Sequence, residues 1–246
     1  MPELRSLGMQ ITPLGDSALI VRVRDRFEDA PEQTLNQVLK VLRRLENAQI
    51  PGVIECAPAY TTVAVFFDPI VVANAGPKPD HALDWLTERV RAVVAADADR
   101  GGAVALGARV IEIPVCYDPE FALDLDHVAD HAQITPREVV DLHSGAEYRV
   151  SCIGFVPGFP FLAGLPQELA TPRRATPRKA IPAGSVAIGG VQTGIYPMRS
   201  PGGWNLIGRT PFRLFDPKKN PPALLQAGGR VRLHAITREE FDSMKQ

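Results

Sequence analysis

The residues best suited to chemistry in this chain gather in one loop. Thr171-Pro172-Arg173-Arg174-Ala175-Thr176-Pro177-Arg178-Lys179 sets four cations between prolines. Guanidinium forks match carboxylate and phosphate geometry through two-point contacts, and the flanking prolines hold the loop without further ordering cost. Arg173 and Arg178, each following Thr-Pro, are the candidate anion clamps. From the residues alone, the alternative is a surface loop whose charges are simply solvated. His143 follows a helical pattern and precedes the strand pattern Tyr148 to Ile153, which predicts a place at the rim of a β-domain. An imidazole with its ordinary pKa of about 6.5 there suits proton transfer at neutral pH; the alternative is a histidine capping its own helix.

Other polar groups are weaker candidates. Gln192, Thr193 and Tyr196, between Gly190 and Pro197, can orient a ligand by hydrogen bonds. Ser185 has no Gly-x-Ser-x-Gly elbow around it and opens an apolar strand pattern, so it reads as structural or substrate-contacting, not as a nucleophile. The backbone N–H groups of Gly184-Ser185 and Gly202-Gly203 are candidates to cradle an oxyanion. His127 and His131 stand one helical turn apart, as a zinc pair would, but Val128 occupies the place of the glutamate in a His-Glu-x-x-His motif. They read instead as part of a solvated acidic face with Asp124, Asp126 and Asp130, and no metal is expected. Neither a Gly-x-x-x-x-Gly-Lys-Ser/Thr loop nor a Gly-x-Gly-x-x-Gly turn occurs between a strand and a helix. A bound nucleotide would need another arrangement or a shared site.

These residues must be positioned by the elements around them. From Ile153 to Pro211 the chain is dense in Gly and Pro, punctuated by Phe155, Phe159, Phe161, Val186, Ile188, Ile195, Tyr196, Trp204 and Ile207. A disordered linker would lack those aromatic and β-branched residues, so the stretch predicts rigid loops strung between short strands. Phe155, Pro157, Gly158 and Phe159 form one such loop, and Gly202, Gly203 and Trp204 another, with Trp204 equally suited to core or pocket wall. Upstream, Leu123 to His131 and Pro136 to His143 predict short helices, the second capped by Thr135 with Pro136 first and Glu138 third. From Tyr148 onward, short strands and turns predict a closed or nearly closed β-barrel.

The first hundred residues have another texture. Ala18 to Val23 alternates as a strand, and Leu35, Val38, Leu39, Leu42 and Leu45 fall at helical spacing until Pro51-Gly52. Val53 to Ala57 and Thr61 to Phe67 predict a hairpin, and Asp80 to Ala96 an amphipathic helix. Ala95 to Gly107 is the expected boundary, dividing an α+β domain over 1–100 from a mostly β domain over 101–246. A net charge of -1 gives no field toward nucleic acid or an anionic membrane. Four cations in one loop fall short of the basic stripe that nucleic acid requires. Cys56, Cys116 and Cys152 are odd in number and set among apolar residues, which suits reduced thiols in a cytoplasmic protein. No stretch approaches the roughly 20 apolar residues of a membrane span.

Two ordered phrases, Pro157-Gly158-Phe159-Pro160-Phe161-Leu162 and Ser200-Pro201-Gly202-Gly203-Trp204-Asn205-Leu206-Ile207-Gly208-Arg209-Thr210, closely resemble the B-subunit family of 5-oxoprolinases, also called KipI-like or the first subunit of allophanate hydrolase. Leu142-His143-Ser144, Val115-Cys116-Tyr117, Tyr60-Thr61-Thr62 and Gly15-Asp16-Ser17-Ala18-Leu19 extend the resemblance over nearly the whole chain. It implies a ferredoxin-like first domain and a cyclophilin-like β-barrel as the second. It also implies ATP-dependent opening of 5-oxoproline to glutamate, with ATP and Mg²⁺ held at a site shared with a partner, and with the homologous C-type and the separate A-type subunits required for activity. In that scheme His143 shuttles protons or orients substrate, and Arg173 and Arg178 clamp anions. Phe155 to Phe159, Ser185, Gln192, Tyr196 and Gly202 to Trp204 shape the pocket. The same resemblance admits two other activities: the carboxyltransferase part of a urea-carboxylase-like system, or inhibition of a sensor histidine kinase. Two departures stand out. The family's Gly-Gly-x-x-Gly-Pro-Asp-Leu stretch reads Asp118-Pro119-Glu120-Phe121-Ala122-Leu123-Asp124-Leu125, keeping only the aspartate and leucine of its last residues, and its Pro-Gly-Asp reads Ala227-Gly228-Gly229.

Overall fold

The alternation beginning at Ala18 does form a strand, and it is the second of four. In the computed structural model, which describes residues 9–27, 29–76, 79–96 and 110–244, the chain divides into two units, 1–105 and 106–246. Most of the expected boundary stretch, residues 97–107, lies outside the described residues. The first unit runs β1 (Gln10–Leu14), β2 (Ala18–Arg22), α1 (Pro31–Ala48), β3 (Val53–Ala59), β4 (Thr62–Phe67), α2 (Pro69–Ala75) and α3 (Ala82–Ala95). Its antiparallel sheet has the order β1-β2-β4-β3. Leu19, Val21, Val63, Val65 and Phe67 project from one face into a core completed by Val38, Val41 and Leu45 of α1 and Leu86, Val90 and Val94 of α3. The first predicted helix therefore buries the stripe its spacing marked out, while the second buries Leu86 and Val90 of its stripe and leaves Leu83 exposed.

Two elements of this unit leave no pattern in the sequence. β1 is almost wholly exposed and carries Pro13, which an edge strand tolerates, so it offers no alternation to detect. α2 is seven residues long, too short for a period, yet Asp68 accepts from the Ile70 and Val71 N–H groups at 2.8 and 3.1 Å and Pro69 takes the first helical position.

The second unit contains β5 (Ile111–Cys116), α4 (Leu125–Ala132), α5 (Pro136–Gly145), β6 (Glu147–Ile153), β7 (Pro160–Ala163), β8 (Arg178–Ile181), β9 (Ser185–Gly189), β10 (Gln192–Ile195), β11 (Ser200–Gly202), β12 (Asn205–Arg209), β13 (Arg230–Ile236) and α6 (Arg238–Ser243). Seven strands close a barrel in the order β10-β7-β6-β13-β5-β12-β9, while β8 and β11 pair separately. Side-chain alternation splits the barrel wall into two apolar layers. Val186, Ile188, Ile195 and Ile207 face the main core. Ala187, Tyr196 and Leu206 belong to a second cluster with Phe159, Ile181 and Trp204. That is why β9 is buried along its whole length instead of alternating.

The capping box expected before Pro136 is present. Thr135 Oγ1 accepts from the Glu138 N–H at 3.2 Å, and Glu138 accepts from the Thr135 N–H at 2.7 Å. Thr135→Ala is expected to cost about 1 kcal/mol, read as a lowered urea midpoint. The altered Ala227-Gly228-Gly229 segment makes a turn against β6, with the Gly228 N–H donating to Val150 O at 2.7 Å and Gly228 at φ 82°.

Candidate active site

Trp204 organises the second apolar cluster because two strand glycines make room for its indole. A Cβ on Gly189 would stand 2.5 Å from Trp204 Cδ2, and one on Gly194 would stand 3.0 Å from Cζ3 and 2.9 Å from Phe159 Cζ. Phe159 meets Trp204, Tyr196 and Phe155 edge-on, at centroid distances of 5.6, 5.1 and 5.5 Å. A cavity of about 220 Å³ opens among these rings. Phe155, Phe159, Phe161, Tyr196 and Trp204 wall it, with Gly202, Gly203, Pro177, Arg173 and Arg174 completing the lining. Trp204 is thus both core and wall.

Gly202 lies so close to Tyr196 that any side chain there would overlap the phenol oxygen and Ile181. Burial raises the Tyr196 pKa, partly countered by the Trp204 backbone hydrogen bond and by Arg173 and Arg178. The phenol stays protonated near neutrality. Phe155 is 60% exposed at the cavity mouth and holds φ at 67°, in the left-handed region that disfavours bulky residues. Gly158 anchors the same loop against Phe215.

The basic loop divides in two. Arg173 is exposed, its Cζ 5.7 Å from the Trp204 ring centroid, so its charge lies beside the aromatic walls. Arg174 and Arg178 turn toward Asp124. Arg178 Nη1 and Nη2 donate to Asp124 Oδ2 and Oδ1, both at 2.8 Å, and Arg174 Nη1 donates to Oδ1 at 2.7 Å. The Leu206 N–H adds a fourth bond to Oδ2 at 2.7 Å. Burial alone would raise the Asp124 carboxyl, but the Arg178 fork, the Leu206 N–H and the charges of Arg178 and Arg174 together hold it below the ordinary value.

This corrects two expectations. Asp124 is no part of a solvated face: it is 4% exposed and ties the start of α4 to the basic loop and to β12. The fork of Arg178, expected to clamp a ligand, is occupied by that carboxylate, because a buried charge must be paired. Arg173 is the guanidinium left facing the cavity.

His143 is not at a rim. It is fully buried in the second unit, and burial pushes its pKa down to about 3. Thr193 Oγ1 donates to Ala187 O at 3.1 Å, so it accepts from His143 Nε2 at 2.9 Å. His143 Nδ1 then accepts from the Tyr117 O–H at 2.7 Å, and Tyr148 O–H donates to the His143 carbonyl at 2.7 Å. The imidazole is a neutral, doubly bonded tautomer. Pro157, Gly158, Ser185 and Gln192 also lie outside the cavity lining, with Ser185 buried at the start of β9. His127 and His131 are exposed on α4, and among the described residues no group of three His, Cys, Asp or Glu side chains is placed to hold a metal ion.

Phe161, Arg174 and Pro177 also line the cavity, although sequence reasoning does not mark them for it. Phe161 belongs to the aromatic phrase that begins at Pro157 and Pro177 to the basic loop, so composition held the clue but could not rank them.

Residues 9–225 match the family described as carboxyltransferase domain, subdomain C and D. The chain is 42% identical to the B subunit of 5-oxoprolinase from Bacillus subtilis (strain 168), covering 96% of this chain and 97% of that protein. The chain belongs to the 5-oxoprolinase B-subunit family. The Escherichia coli O157:H7 protein of that name is 38% identical across 89% of this chain and 92% of its own length. Among solved structures, the crystal structure of TTHA0988 superposes with a TM-score of 0.71 at 35% identity, over 89% of this chain. The chain spans 40% of that longer molecule. Among the described residues of this 5-oxoprolinase B-subunit family member, no helix is long and apolar enough to cross a membrane.

Proposed function

We propose that the chain is the B subunit of an ATP-dependent 5-oxoprolinase, binding 5-oxoproline in the aromatic cavity and opening it to glutamate together with the A and C subunits. The reading rests on one observation above all, the small aromatic cavity with the Arg173 guanidinium at its edge. A planar five-membered lactam offers faces for Phe159 and Trp204, and its carboxylate offers Arg173 a two-point partner. Tyr196, kept a neutral phenol, donates toward the amide oxygen where charge develops when the carbonyl is attacked. Phe155 covers the mouth. The first unit keeps the strand order β2-β4-β3 with a helical crossover, as in a split β-α-β-β-α-β unit, and β1 takes the edge beside β2. We assign it as the ferredoxin-like domain and the barrel as the cyclophilin-like one.

The cavity of about 220 Å³ is smaller than the roughly 300–1,000 Å³ usual for pockets that hold drug-sized ligands, and the nucleotide is assigned to a site completed by another polypeptide of the complex. An unstrained lactam is resonance-stabilised, and ATP supplies the energy to break that resonance. This chain's own residues hold the ring, bind its carboxylate and exclude water. A cytoplasmic complex follows from the same reading.

Arg173→Gln tests it. In the complex co-expressed with its other subunits, 5-oxoproline-dependent ATP hydrolysis should show KM raised about tenfold, the loss of one charge-assisted pair, with kcat little changed. Unchanged KM would remove Arg173 from the site. No 5-oxoproline-dependent turnover by an assembled native complex would sink the activity itself.

A further inference from the structure

The exposed apolar side chains of the first unit are not scattered. Cross-strand register places Leu14 opposite Ala18, Ala18 opposite Phe66, and Phe66 opposite Glu55, so one row crosses all four strands at one end of the sheet. This row lies on the face opposite the helices, since its neighbours Leu19, Val65 and Phe67 point into the core. Leu14 is 56% exposed and Phe66 39%. Ile54, the extra residue at the β3 irregularity beside Glu55, is 71% exposed. At the same end the chain leaves β4 into α2, whose first turn shows Ile70 at 73% and Val71 at 45% exposure. The Asp68 N–H donates to Gly52 O at 2.8 Å, holding that turn next to the start of β3.

Five large apolar side chains left in water at one end of a sheet mark an interaction surface. Its border is acidic. Asp16 sits in the turn between β1 and β2, Glu55 in the row itself, and Glu46 across a groove of about 430 Å³ lined by Leu45, Gln49, Ile50, Val53, Ile54 and Cys56. Among the described residues no ion pair engages Asp16, Glu46 or Glu55, and the groove lining contains no Lys or Arg. Burial first, then Glu46 and Glu55, push the Cys56 thiol up to about 11, so negative potential reaches into the groove.

We infer that this sheet end, Leu14, Phe66, Ile54, Ile70 and Val71 with their acidic border, docks a different protein chain whose apolar contact residues are bordered by Lys and Arg. A second copy through the same patch would bring one border of Asp16, Glu46 and Glu55 against another acidic border, a like-charge juxtaposition that disfavours a symmetric dimer. An anionic lipid surface is repelled for the same reason. On the reading of the chain as one component of a 5-oxoprolinase, the occupant is another component of that complex.

The test is co-purification of the co-expressed partner subunits with the native chain, with Ile54→Lys/Glu55→Lys and with Ile70→Asn, each also melted alone to check its fold. The changes fall on exposed positions, so melting temperatures should match the native value. The expected result is at least a tenfold loss of retained partner for the charge-reversed variant, a smaller loss for Ile70→Asn, and weaker native association at 0.5 M than at 0.05 M NaCl, about the change of Debye length from 14 to 4 Å. Folded variants that retain partners like the native chain would overturn the inference. An assembled native complex without 5-oxoproline-dependent turnover would defeat the activity alone, leaving the docking result to stand; a native chain that retains no partner would defeat both.

Discussion

Asp124→Asn should destabilise the second unit by about 3 kcal/mol, the cost of breaking a buried ion pair by removing one partner. The carboxylate accepts four hydrogen bonds, from Arg174, twice from Arg178, and from the Leu206 N–H. An amide of the same shape keeps one acceptor oxygen and turns its NH₂ toward a guanidinium. The Arg178 charge, only 22% exposed, is then left without its counterion. In urea the midpoint should fall with the slope unchanged, and the melting temperature should drop by about 6–12 °C. Arg174→Gln should cost far less, near 1 kcal/mol, because its side chain is more exposed and Arg178 still satisfies the carboxylate. The double variant Asp124→Asn/Arg178→Gln should be much less destabilised than the sum of its parts, since the second change removes the charge the first strands. A loss below about 1 kcal/mol for Asp124→Asn would mean that water compensates the pair. The loop bearing Arg173 and Pro177 is held in place by Asp124, so on the proposed reading 5-oxoproline binding should weaken with the fold.

Asp124 also shows where sequence reading stops. Three aspartates within seven residues near a short helix look like a solvated face, and two of them, Asp126 and Asp130, are exposed as expected. Asp124 differs only because its partners lie 50 and 54 residues further along the chain. Periodicity has no access to such pairs. One clue was present: Asp124 is the aspartate kept where the family's glycine-rich stretch is otherwise replaced. The same limit explains His143, whose partners Tyr117 and Thr193 come from different strands or loops brought together only by barrel closure. What local chemistry alone decides was legible: the Thr135 capping box, the buried stripe of α1 and the hairpin of β3 and β4. The aromatic phrase around Phe159 and Trp204 was legible as rigid loops, because bulky rings beside glycines leave few ways to pack; from the residues alone Trp204 stayed open between core and pocket wall. Which arginine faced the pocket was not legible, since Arg173 and Arg178 follow the same Thr-Pro pair and differ only in tertiary surroundings.

His143 makes a second large effect measurable through pH. Its folded pKa of about 3 lies below the ordinary 6.5, so between these values the unfolded chain takes up a proton that the folded chain cannot. Stability therefore falls as pH drops below about 6.5, with a limiting slope near 1.4 kcal/mol per pH unit, or about 2 kcal/mol between pH 7 and pH 5. Asp124 acts in a lower window: its carboxyl is held below the ordinary 3.8, so its contribution is present above that value and is lost only as pH falls through the folded pKa. The interval from pH 7 to 5 thus isolates the imidazole. His143→Gln keeps a donor and an acceptor for Thr193 and Tyr117 but cannot titrate. Urea midpoints measured at both pH values should show the native chain losing about 2 kcal/mol more than the variant. Equal losses would mean that the imidazole reaches solvent and protonates in the folded state, which would return it to consideration as a proton carrier; unequal losses fix it as a neutral strut inside the barrel domain, and leave Tyr196 as the titratable hydroxyl that lines the cavity.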